Sequence, residues 1–96
     1  MYMISHDQLL GLNQTLAENG STFRFVRNGE VGIESMRMSN QGCLKPYDGH
    51  GISVCVFTHE DVFTVSYYHS FQEDEGSEAE DCATWDAARA LILRYV

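Results

Sequence analysis

Apolar residues follow two different periods along this chain. Between Ser5 and Gly20 they recur every three or four positions, at Leu9, Leu12, Leu16 and Ala17, which is the repeat of one helical face. Ser5 with Gln8 three positions on makes a capping box, Ile4 and Leu9 flank it as a hydrophobic staple, and Asn19-Gly20 supplies a stop. The pattern predicts a helix over 6–18. From Thr22 the period becomes two: Phe23 and Phe25 alternate with Thr22 and Arg24, Asn28-Gly29 follows, and Val31 and Ile33 alternate within 30–38. This predicts a hairpin closed by a tight type I′ turn, whose central residues need the positive φ that Asn and Gly tolerate best. The apolar phase then shifts from Val31 and Ile33 to Met36 and Met38, the sign of a bulge or of a strand that ends early.

Residues 39–51 hold Gly42, Pro46, Gly49 and Gly51 and read as a loop. Residues 52–58 and 62–71 are rich in β-branched and aromatic side chains, so they read as two strands joined at His59-Glu60-Asp61. The acidic stretch 72–83 reads as a second loop. Thr84 then caps a last helix whose Ala88, Leu91, Ile92 and Tyr95 share one side, with Ser77 and Glu80 as an earlier possible capping box. The order α-β-β-β-β-α predicts an α+β fold: a four-stranded, mainly antiparallel sheet with the N- and C-terminal helices on one face. Two helices cover one side only, yet the last two strands are apolar in both phases: Val62 and Tyr68 alternate with Phe63, Val65, Tyr67 and Phe71, and Cys55 and Phe57 alternate with Ile52, Val54 and Val56. Some apolar surface is therefore expected to remain for a partner.

Composition narrows the class. A chain of 96 residues has room for one core, so a single domain over 1–96 is expected, and 44% apolar with 11% aromatic residues is the composition of a chain that folds. No apolar run approaches the roughly 20 residues that span a bilayer, and residues 1–10 carry neither a basic flank nor an apolar signal core, so a cytoplasmic protein with no membrane partner is expected. The three cysteines, Cys43, Cys55 and Cys82, form no C-x-x-C pair and predict reduced thiols.

Charge changes the picture most. Residues 1–45 balance four bases with four acids, whereas residues 46–96 set two bases against ten acids, so the whole net charge of −8 lies in the second half. Glu73, Asp74, Glu75, Glu78, Glu80 and Asp81 place six carboxylates in nine residues, with no Lys or Arg between Pro46 and Ala88. Such a field repels nucleic acid and attracts basic surfaces, so the expected partner is a protein with a basic, nucleic-acid-binding surface that the acidic segment contacts in place of phosphates. Glu60 and Asp61 join this contact if their turn lies beside the segment, and Tyr67 and Tyr68 are the candidate aromatic anchors.

Other chemistries are weakly represented. The acidic run lacks the D-x-[DN]-x-[DN]-G spacing of a calcium loop, and the four histidines and three cysteines fit no zinc pattern, so no metal is expected. Cys55, His59 and Glu60 are the only short-range nucleophile, base and acid, and their strand spacing argues against convergence; no catalytic role is assigned. Without G-x-x-x-x-G-K-[ST], G-x-G-x-x-G or a basic stripe, neither a nucleotide cofactor nor direct binding of nucleic acid is expected. In size and acidity the chain resembles phage-encoded counter-defence proteins such as anti-CRISPR and anti-restriction inhibitors, a likeness of character that carries no residue roles with it. The leading expectation is thus a non-enzymatic inhibitor that acts as a nucleic-acid mimic, in the host cytoplasm if phage-encoded. An immunity protein or antitoxin against a basic nuclease toxin demands the same surface, and a homodimeric structural or adaptor domain pairing through the open sheet face is the reading in which the acids only solubilise.

Overall fold

Ser5 starts the first helix as the capping pair requires. Its hydroxyl accepts from the Gln8 N–H at 3.0 Å, and the Gln8 side chain accepts from the Ser5 N–H at 2.8 Å. The structure, a computed structural model, describes residues 4–71 and 74–96. Helix α1 runs His6–Glu18, and six strands follow: β1 Phe23–Asn28, β2 Gly32–Met38, β3 Leu44–Lys45, β4 Gly51–His59, β5 Val62–Phe71 and β6 Asp74–Cys82. Helix α2, Trp85–Tyr95, closes the chain, capped by Thr84, whose hydroxyl accepts from the Ala87 N–H at 3.2 Å.

The fold is α+β with terminal helices and an antiparallel sheet, but the sheet has six strands rather than four, in the order β1-β2-β4-β5-β6 with β3 paired to β2. Both added strands lie where the sequence reads as loop. β3 is a two-residue bridge opposite Arg37 and Met38. β6 is the acidic segment itself, so Ser77 is a strand residue and not a helix cap. Asp, Glu and Gly are poor strand formers, but the ten-residue β5 offers a full row of backbone partners, and pairing along it outweighs local preference.

Register explains the first hairpin. Asn28 pairs with Gly32, leaving the three-residue loop 29–31, in which Gly29 takes φ 73°. The expected two-residue turn with Asn28 at positive φ is not formed. A two-residue loop would pair odd with even positions and turn Ile33 away from the face that carries Phe25; the observed register keeps both in the core. The phase change toward Met36 and Met38 has its counterpart in β2, which pairs with β4 only over Gly32–Glu34. Beyond that point the Ser35 hydroxyl accepts from the Val54 N–H at 2.9 Å, and β3 takes the edge of β2 that β4 leaves.

One face of the sheet carries the core. Phe25, Ile33, Val54, Val56, Phe63 and Val65 share one cluster with Leu12 and Leu16 of α1 and Ala88, Leu91 and Ile92 of α2. Both helices therefore lie on that face, tied to each other where Arg89 donates to the Thr15 hydroxyl at 2.8 Å. The Asn13 side chain holds the outer edge of β1, donating to the Phe25 carbonyl at 2.9 Å and accepting from its N–H at 2.8 Å. That bridge satisfies backbone groups which an edge strand otherwise leaves open. No helix among the described residues is long and apolar enough to cross a membrane.

Candidate functional site at the acidic sheet edge

Pairing with β5 makes β6 an edge strand and gives its acidic residues fixed register positions. Cys82 lies opposite Phe63, Asp81 opposite Thr64, Glu80 opposite Val65 and Glu78 opposite Tyr67; Glu75 and Asp74 fall opposite Ser70 and Phe71. Glu73 lies outside the described residues. Because strand side chains alternate, Glu78 and Glu80 project on the helix side and Asp81 on the open side, and residues 77–81 are all exposed. The interval from Asp74 to Asp81 is about 24 Å at roughly 3.4 Å per residue, so its carboxylates average about one per 5 Å. A single DNA strand carries one charge per about 3.4 Å of axis. The edge thus approaches the linear charge density of one nucleic-acid strand without reaching it.

Two of these carboxylates are held by neighbours. The Thr64 hydroxyl donates to Asp81 Oδ1 at 2.8 Å, and the Tyr95 hydroxyl donates to Glu78 Oε2 at 3.3 Å. Burial first, and then the nearby Glu78 carboxylate, raises the Tyr95 pKa above its ordinary value of 10.0. The hydroxyl stays protonated at neutral pH and keeps donating to Glu78.

The same register gathers more acid at one end of the sheet. β4 and β5 turn at Glu60 and Asp61, between His59 and Val62, one residue beyond the Phe63–Cys82 pair that ends β6. Glu60 and Asp61, both exposed, therefore occupy the end of the sheet where Asp81 lies, as does Asp86 in the first turn of α2. Glu60 has φ 56°, in the left-handed region where Gly or Asn is the ordinary occupant.

Tyr67 and Tyr68 flank this edge from opposite faces. Tyr67, half-buried on the helix side, stacks on Tyr95 with ring centroids 4.3 Å apart; Tyr68 meets the edge of Tyr47 at 5.7 Å on the open side. On that open side Phe57 is 43% exposed, and Cys55 is half-buried beside it in the sheet.

The remaining sequence candidates do not converge. Cys55 and His59 are four residues apart along β4, about 13 Å at strand rise. Burial, and then Glu34 on the paired strand, pushes the Cys55 thiol up, which makes it a poorer nucleophile. His69 lies opposite Gly76 and tilts against Tyr67 at 5.6 Å. Cys43, Cys55 and Cys82 are free thiols, exposed, half-buried and buried in turn. Among the described residues no cluster of three or more His, Cys, Asp or Glu side chains is placed to hold a metal ion.

Sequence reasoning gave no role to Arg37, Lys45 or His50, which the structure brings to one cleft at the opposite end of the sheet from Glu60. The available signal was the phase break in 30–38: Ser35 and Arg37, polar residues in core-facing register with Phe25 and Phe23, are the ones that line that cleft. Comparisons with protein-family models, with curated proteins and with solved structures yield no match.

Proposed function

We propose that this protein is a stoichiometric, non-enzymatic inhibitor that lays the acidic edge β6 over the basic, nucleic-acid-binding surface of another protein and so excludes its nucleic acid. One observation supports the reading: the acidic run is a paired edge strand whose acidic residues have fixed register positions, and its register sets Glu60 and Asp61 beside the Asp81 end. A strand with one free edge presents both charge and unpaired backbone groups to a partner. The left-handed φ of Glu60 adds weight, since strain accepted at a charged turn residue is the kind found at contact sites. Within this reading Glu73, Asp74, Glu75, Glu78, Glu80 and Asp81 make the main contact, Glu60 and Asp61 extend it, and Tyr67 and Tyr68 flank it. A phage counter-defence inhibitor of the anti-CRISPR or anti-restriction kind fits, and so does an immunity protein or antitoxin against a basic nuclease; the partner's identity separates them.

The test is capture of partners from host lysate on the tagged protein, with washes at low and then high salt, repeated with Glu60→Lys/Asp61→Lys and Glu75→Lys/Glu80→Lys. The expected result is a nuclease or nucleic-acid-binding complex that high salt releases, displaced by duplex DNA or RNA, and bound at least tenfold more weakly by each reversed pair. A complex indifferent to salt and to both double reversals overturns the proposal. Exposed Phe57 on the open face favours a second reading, a homodimer through that face. Recovery of the protein alone at twice its monomer mass selects it.

A further inference from the structure

The cleft at the far end of the sheet from Glu60 carries charge opposite to that of the acidic edge. It lies where β2 parts from β4, measures about 340 Å³, and is lined by Arg37, Lys45 and His50 together with Phe23, Tyr47 and Ile52. Arg37 and Lys45 are register partners across β2 and β3, and like charges placed directly opposite in a ladder destabilise it. Acids outnumber Lys and Arg by 14 to 6 in this chain, yet among the described residues no carboxylate pairs with either side chain. The acid in the lining, Asp48, is engaged in its own turn, where its Oδ1 accepts from the His50 N–H at 3.1 Å.

Arg37 is exposed, with one side of its head group resting on the sheet. Its guanidinium lies 5.7 Å from the centre of the Phe23 ring and lies against Gly51, a buried residue at φ 101° where a Cβ would collide with it. Tyr47, on the same lining, keeps its hydroxyl shielded from solvent beside Tyr68 and Ser70, with no well-aligned hydrogen bond to either. Two unpaired cations beside aromatic walls are groups that orient a small anionic ligand in a pocket.

We propose that this cleft is a binding site for a phosphomonoester of mononucleotide size, its phosphate held by Arg37 and Lys45 and its flat, apolar body against the Phe23, Tyr47 and Ile52 side. A guanidinium fork matches phosphate oxygens in pairs, and an ammonium adds a point charge. The volume lies at the small end of ligand pockets, and the net charge of −8 repels a polyanion, so the site takes a single small anion and not a nucleic-acid strand. The assignment is independent of what β6 binds.

The experiment is an amide-resolved NMR titration of the full chain, without any partner protein, using a purine mononucleotide, a pyrimidine mononucleotide, inorganic phosphate and an uncharged nucleoside. The expected result is saturable shifts at Arg37 and across residues 45–52 with at least one mononucleotide. Its affinity should exceed that of inorganic phosphate and of the nucleoside by tenfold or more. Lys45→Gln, an exposed change, and Arg37→Gln should each weaken it at least tenfold with the dispersed spectrum retained. No saturable shift at millimolar mononucleotide, equal affinity for inorganic phosphate, or binding unaltered by Lys45→Gln overturns the proposal.

Discussion

Glu60 separates stability from contact within one side chain. An L-residue in the left-handed region costs roughly 1–2 kcal/mol that glycine avoids. Glu60→Gly should therefore raise the unfolding free energy by about 1 kcal/mol in denaturant titration, while it weakens the salt-sensitive complex. A carboxylate with no contact role would give the first effect without the second. Tyr95 and Tyr47 make the pH counterpart. In Tyr95 burial and then Glu78, and in Tyr47 burial and then Tyr68, raise the phenol pKa above 10.0 in the folded chain. The folded state then holds protons that the unfolded state releases, so this contribution is fully present below pH 10 and is lost as pH rises through the folded values. Absorbance titration should find tyrosine ionisation extending above pH 10, with the melting temperature falling over the same alkaline interval.

At the scale of elements, β6 is the part that local preference would not build. Its helix-side register includes Gly76, and the His69 imidazole lies over that glycine so closely that a Cβ has no room. The ring covers a strand position that offers no side chain of its own to pack. Gly76→Ala should push His69 aside and destabilise the chain by about 1–3 kcal/mol, the usual cost of inserting a methyl into a filled space. Hydrogen exchange should show where: β6 amides exchange at least tenfold faster, while those of β4, paired on both sides, keep their protection. Unchanged β6 protection would mean that this edge is held by its ladder alone.

For the whole molecule, opposite charges share one sheet. The acidic edge β6 runs from the Glu60 end at Asp81 to Glu75 and Asp74, and through the pairs Gly51–Ser70 and Ser70–Glu75 its far end lies two strands, roughly 10 Å, from the glycine against which Arg37 rests. That spacing is close to the screening length of about 8 Å at physiological salt. Salt is therefore the informative variable for the proposed inhibitor. Encounter steered by an acidic face slows as ionic strength rises, whereas pairing through an apolar face around Phe57 does not weaken with salt.

The sequence alone determined what is local. Both helices, their caps at Ser5 and Thr84, and the β4–β5 hairpin follow from periods of 3.6 and 2 and from capping chemistry confined to a few adjacent residues. The position of the acidic run was equally legible because charge is read by counting. Tertiary structure decided the rest. The acidic segment became a strand because β5 offered it a complete row of backbone partners, the first turn took three residues because Phe25 and Ile33 had to share a face, and the cleft formed where β2 exchanged β4 for β3. Each of these outcomes rests on pairing between residues distant in sequence, which no local propensity encodes.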